Sequence, residues 1–182
     1  MSDLRTWQAK SLANLMKGGP VCQHAARYIV ANGVEIGFAR QSTSARWTLD
    51  GKIELSSALY SPQTDPASPQ ALGSIVHEAT HLEQGAALAL TVAGEVGGWQ
   101  AEYAARLELG QPIGDPRWRA VYATPQPPTR ADLRRARREM LRMTGYRYLI
   151  WLLPLQPNLL TRGVAAVQQI IRARLKNQRR GS

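Results

Sequence analysis

Strand-type alternation is confined to one stretch of this chain, and that confinement decides what it can fold into. Val34-Glu35-Ile36-Gly37-Phe38-Ala39, Ala45-Arg46-Trp47-Thr48-Leu49 and Lys52-Ile53-Glu54-Leu55 alternate apolar and polar residues with the period of a strand. Asp50-Gly51, between the last two, is a hairpin signal. Everything else follows helical periodicity or is broken by proline. Strands and helices segregated in this way imply an α+β class with a small antiparallel sheet. With 182 residues, of which 44% are apolar, the chain is long enough to bury a real core.

Two helices are predicted before the strands. Residues 4–16 place Leu4, Trp7, Leu12, Leu15 and Met16 on one side, and Pro20 opens a second helix that Asn32-Gly33 closes. After a proline-rich loop, a helix is predicted from Ser68 or Pro69 to Gln84, and another from Val92 to Leu109. Residues 111–182 read as an extension packed on the 1–110 unit. Its proline-rich connector, up to Pro128, is expected to be irregular. Thr129 then caps a basic helix to Met143, and a last helix runs from Thr161 to about Leu175, with Arg179 to Ser182 frayed.

The net charge of +10 is split unevenly. Residues 1–110 carry eight basic and ten acidic side chains, and residues 111–182 carry fifteen and three. The basic character therefore belongs to the extension. In the helix from Arg130 to Met143, Leu133, Ala136, Met140 and Met143 form an apolar stripe expected to dock, which leaves the arginines facing outward. The default for such a face is plain solvation, and the sharper reading is binding to a polyanion (nucleic acid or an anionic membrane surface) or an acidic protein partner. No helix-turn-helix spacing, RNA-binding aromatic motif or zinc finger accompanies it.

No apolar run reaches the ~18 residues of a membrane span. Met1-Ser2-Asp3-Leu4-Arg5 lacks the form of a signal peptide, and Cys22 is the single cysteine. A cytoplasmic location is therefore expected, with no disulfide framework. Cys22 and the tryptophans Trp7, Trp47, Trp99, Trp118 and Trp151 read as core, and His24 as a structural or surface residue.

Two of the three histidines lie in His77-Glu78-Ala79-Thr80-His81, flanked by Ile75, Val76 and Leu82. Buried imidazoles and carboxylates are costly unless paired or bound to metal. Residues four apart share a helix face, so both imidazoles can reach one ion at about 2.0–2.1 Å. Glu78 lies about 100° around the helix from His77, too close in sequence to be the third ligand. It is placed instead to act as general base toward a metal-activated water. A zinc site needs one more protein ligand. Glu95 and Glu102, two turns apart on the next helix, are the candidates. If that helix packs antiparallel, one can meet the metal and the other can hold a histidine N–H.

Val76-His77-Glu78-Ala79-Thr80-His81-Leu82, with Gly94-Glu95-Val96-Gly97-Gly98-Trp99-Gln100-Ala101-Glu102, resembles the gluzincin pattern of zinc metallopeptidases. More narrowly it is similar to minigluzincins, whose core is a short antiparallel sheet plus two helices. The resemblance covers roughly residues 34–110. It implies a Zn2+ cofactor held by His77, His81 and Glu95, with Glu78 as catalytic base, and a peptide or protein substrate. Gly98 stands where an alanine is usual, and the step from His81 to Glu95 is short, which keeps Glu102 as the alternative ligand.

Lys52 to Ser57 is expected to form an exposed sheet edge beside the cleft, able to accept an extended peptide. Tyr60, Tyr103 and Arg106 are the candidate oxyanion donors. The competing function is a nonenzymatic binding protein whose Arg-rich C-terminal region contacts nucleic acid or acidic partners.

Overall fold

The computed structural model describes residues 3–145 and 149–180. In chain order the elements are α1 (Leu4–Lys17), α2 (Pro20–Asn32), β1 (Ile36–Ala39), β2 (Ala45–Trp47), β3 (Ile53–Ser56), α3 (Pro69–Gln84), α4 (Ala86–Ala89), α5 (Val92–Glu108), α6 (Pro116–Tyr122), α7 (Arg130–Thr144), a 3-10 turn (Leu149–Trp151) and α8 (Leu159–Arg180). Among the described residues, eight helices and one three-stranded sheet make an α+β fold. The last helix runs past Leu175 to Arg180. Gly181 and Ser182, also expected to fray, lie outside the described residues.

The sheet corrects two expectations. Its order is β1-β3-β2, with β1 parallel and β2 antiparallel to β3, so it is mixed rather than antiparallel. The segment from Lys52 to Ser57 is therefore central and not an edge. The physical reason lies in residues 40–44, which pass over the end of β3 and deliver β2 to its far side. Ser56 N donates to Ser44 O at 2.9 Å on one flank, and Ser57 N to Ala39 O at 2.8 Å on the other. Ile53 and Leu55 are fully buried, which a central strand can satisfy. The hairpin at Asp50-Gly51 forms as expected, with Gly51 at φ 91 and Thr48 N donating to Lys52 O at 3.0 Å. β2 is left as the edge strand nearest α3.

The first apolar cluster joins Trp7, Leu15, Cys22, Ile29, the sheet residues Ile36, Ile53 and Leu55, and Leu72, Ile75 and Val76 of α3. Leu4 and Met16, expected on the apolar side of α1, are exposed, and Ser11 takes the buried place. Glu108 at the end of α5 accepts from Val21 N and Cys22 N at 3.0 and 2.9 Å, satisfying free amides at the start of α2.

The second cluster joins the extension to α5: Val92, Val96 and Trp99 pack with Val121, Leu133, Ala136, Met140 and Ile150. The apolar stripe of α7 docks there, and Thr129 and Asp132 form its capping box. The connector is less irregular than its prolines suggest. Asp115 caps α6 by accepting from Arg117 N at 2.9 Å, with Pro116 in the first turn. Trp151 is 47% exposed, contrary to its reading as core, because Ile150 takes the buried position of that turn. Val92 N and Ala93 N donate to the carbonyls of Pro154 and Leu155 at 2.9 and 3.1 Å. The extension thus supplies acceptors to the first turn of α5.

Met140 is fully buried in this second cluster. Met140→Ala should cost about 2–5 kcal/mol in chemical denaturation. A change under about 0.5 kcal/mol would show that α7 does not hold the fold.

Candidate metal centre

Helix α3 begins where Ser68 accepts from Ala71 N at 3.4 Å and Pro69 occupies its first turn. It is buried on almost every side, so its polar residues cannot turn to water. His77, Glu78 and His81 are 7%, 7% and 2% exposed. Helix α5 starts at Thr91, which accepts from Gly94 N at 3.0 Å, and it runs antiparallel to α3. The pairing shows the direction: His77 meets Glu102, whereas Gln84 meets Gly94.

His77 Nε2 and His81 Nε2 lie 3.0 Å apart. Glu95 brings Oε2 within 3.8 Å of the first and Oε1 within 3.6 Å of the second. Donors about 2.0–2.1 Å from one tetrahedral ion stand about 3.3–3.4 Å from each other. The observed spacings bracket that value, and His77, His81 and Glu95 form a group able to hold a metal ion. Glu95 Oε2 is buried with no hydrogen-bond partner. Two imidazoles and a carboxylate are a donor set that suits zinc among several divalent metals.

Glu102 takes the other role. Its Oε2 lies 3.2 Å from His77 Nδ1. A proton on Nδ1 directed at this carboxylate leaves the Nε2 lone pair for a metal. Gln84 does the same for His81, with Oε1 3.2 Å from Nδ1, while Gln84 Nε2 donates to Gly94 O at 3.2 Å. Sequence reading missed Gln84, although its position three residues after His81 on one helix was a usable signal.

The electrostatics show how poorly these groups settle on their own. Burial pulls His77 down, but its bond to Glu102 and the charges of Glu78, Glu102 and Glu95 outweigh it and hold the ring up at about 9. Burial and the neighbouring His77 depress His81 to about 3, with the Gln84 bond opposing. Burial raises Glu78 to about 7; His77 opposes, Glu95 and Glu102 add to the rise, and the Trp47 backbone amide opposes. Burial raises Glu95 as well, against the pull of His77 and of the nearby Trp99 N–H. A cation at the shared point would stabilise every carboxylate and take up both Nε2 lone pairs.

A cavity of about 230 Å³ opens beside His77, Glu78 and Glu102. Ser44, just before β2, and Ser74 of α3 line it, with Trp99, Trp118, Met143 and Thr144. Trp99 and Trp118 lie with ring centroids 4.2 Å apart. The extension therefore supplies part of the wall, through residues that their sequence context marked only as core or helix end. Trp47 of β2 stands 6.4 Å, ring to ring, from His81. None of the three oxyanion candidates lines this cavity. Tyr103 is 7% exposed and stacks on Tyr122, Arg106 contacts Glu102 and Gln111, and Tyr60 packs on the first apolar cluster. His24 is a surface residue paired with Glu83 at 2.8 Å, away from the site.

Comparison of the chain with protein-family models, curated proteins and solved structures finds no match.

Gly98 has a specific steric reason. A Cβ there would stand 2.7 Å from His77 Nε2. Gly98→Ala should weaken binding of a divalent metal at least about tenfold in chelator competition. If alanine instead leaves affinity unchanged and raises stability by about 1 kcal/mol, as helix propensity alone would, the close approach is not constraining. Glu102→Gln should cost about 10–100-fold in the same assay through the loosened His77 ring. Unchanged affinity would remove Glu102 from the site.

Proposed function

We propose that this chain is a zinc-dependent metallopeptidase of the gluzincin type. One observation carries the reading: His77, His81 and Glu95 converge on a single point, with Glu78 beside them on an open cavity. The pairing of α3 with α5 against a small sheet supports a zincin-like core. In this reading His77, His81 and Glu95 are the ligands, and Glu102 and Gln84 orient the two rings. Zinc held by this set supplies Lewis acidity, polarising a carbonyl and acidifying water.

Glu78 takes the proton of the attacking water and passes it to the leaving amine. Its burial suits both halves of that role, because a carboxylate raised toward neutrality can accept and return a proton. The Trp47 amide favours its ionised form before the transfer. The free edge of β2, with Ser44 at the cavity, is placed to align an extended peptide as an added strand.

The competing reading, a nonenzymatic binding protein, draws on the exposed α7 arginines Arg130, Arg134, Arg135, Arg138 and Arg142, whereas Arg137, expected outward, turns in to donate to Leu153 O. Metal content and hydrolysis separate the two. Purified full-length protein should carry about one zinc by elemental analysis, lost in His77→Ala and His81→Ala. Glu78→Gln should keep the zinc and lose about 10²–10⁴-fold in hydrolysis of a peptide library read by mass spectrometry. No zinc at saturating supply overturns the site. Cleavage that persists in Glu78→Gln overturns the base. Zinc retained without cleavage of any library peptide moves the reading to a nonenzymatic metal protein.

A further inference from the structure

Helix α8 has an inner and an outer face, and among the described residues only the inner one packs on the rest of the chain. Its inner face carries the buried Thr161 and Gln168 and packs on α4, with Gln168 Oε1 accepting from Ala86 N at 3.1 Å. Arg172 approaches the turn at Gly51, 3.6 Å from where a Cβ would stand. The opposite face presents Leu159 and Leu160 at 86% and 75% exposure, then Val167 and Ile170 at 51% and 55%. Steps of seven and three residues keep Leu160, Val167 and Ile170 in one stripe. Gly163, Ala166 and Ala173 are exposed along the same stripe. The segment leading into α8 adds Trp151 and Leu152, 47% and 58% exposed.

Charge says what can cover this stripe. No aspartate or glutamate follows Glu139 in the sequence, whereas Arg142, Arg147, Arg162, Arg172, Arg174, Lys176, Arg179 and Arg180 do. Arg162 and Arg174 are exposed on α8 itself. A second copy of the helix would bring these cations together, which disfavours self-pairing. A nucleic acid would meet the arginines but leave the leucines against a polar phosphate backbone. An anionic bilayer surface answers both features: its headgroups pair with the cations, and its acyl boundary accepts the stripe. The helix does not cross the membrane, since none of the described helices is long and apolar enough.

We propose that the outward face of α8 lies on an anionic lipid surface, with Leu160, Val167 and Ile170 toward the acyl boundary and the arginines among the headgroups. This face is separate from the metal centre, so the proposal stands apart from the catalytic reading.

Co-sedimentation of the full-length protein with vesicles tests it. Vesicles of phosphatidylcholine with phosphatidylglycerol should retain the protein, and those of phosphatidylcholine alone should not. Added salt should weaken the binding. The double variant Leu160→Gln, Ile170→Gln should lower partitioning at least about tenfold. Arg162→Gln and Arg174→Gln should each lower it about fivefold. All four positions are exposed, so an unchanged melting temperature serves as the folding control. Failure to bind the anionic vesicles overturns the proposal. So does binding that the leucine and isoleucine changes leave intact, with duplex DNA competing for it, which assigns the face to nucleic acid. A dimer that the double variant dissociates overturns it in favour of self-association.

Discussion

The antiparallel contact between α3 and α5 is the constraint on which the rest depends. Two helices that both bring polar side chains to their seam must come close enough for those groups to satisfy one another. Gly98 leaves room for the His77 ring, and Gly73 leaves room for Glu102 and Arg106. Around that seam the remaining elements act as walls. The sheet and α1 and α2 close one side through the first apolar cluster, and α6 and α7 pack on α5 through the second. Even the first turn of α5, which carries Glu95, takes acceptors from residues 154 and 155. An extension that reads in sequence as an appendage therefore helps hold one corner of the polar cluster.

The cluster itself is unlike a structural polar network. A network kept for stability would have each buried group satisfied. Here one histidine is pushed far up and its neighbour far down, two carboxylates are raised, and Glu95 Oε2 accepts no hydrogen bond. The groups away from the shared point are well placed: each Nδ1 has its own acceptor in Glu102 or Gln84. The strain is thus concentrated at one spot, among three donors spaced as ligands are. That pattern argues for a cation more strongly than the histidine spacing alone, because the spacing says only that two rings can meet.

Much of this was legible in sequence, for reasons that differ by residue. His77, Glu78 and His81 lie within one helix, so periodicity alone fixes their relative placement. Glu95 and Glu102 were both plausible because choosing between them needs the axial offset of two helices, which the local pattern does not carry. The strand segments were readable but their order was not. Alternation marks Ile53 and Leu55 as buried without showing that a short crossover puts β2 on the far side of β3. Trp118 and Met143 were hidden for a related reason. They reach the cavity through tertiary packing, and nothing near them in sequence marks a site. Gln84, by contrast, was within reach of the helical argument that found the histidines.

The distribution of charge makes sense once each surface has its own task. The seam of α3 and α5 concentrates carboxylates, which a cation requires. The same carboxylates would repel an anionic surface, so the proposed lipid contact needs a separate face. Residues 111–182 are packed in a way that leaves one: α7 buries its apolar stripe against α5, and α8 buries one side against α4. What α8 then leaves outward is apolar as well as cationic, and a merely solvated basic face has no use for exposed leucines. The excess of +10 is therefore better read as two opposed local charges than as one global property. The sign at the polar cluster suits a group able to hold a cation, and the sign on the extension suits the anionic surface proposed for its outer helix.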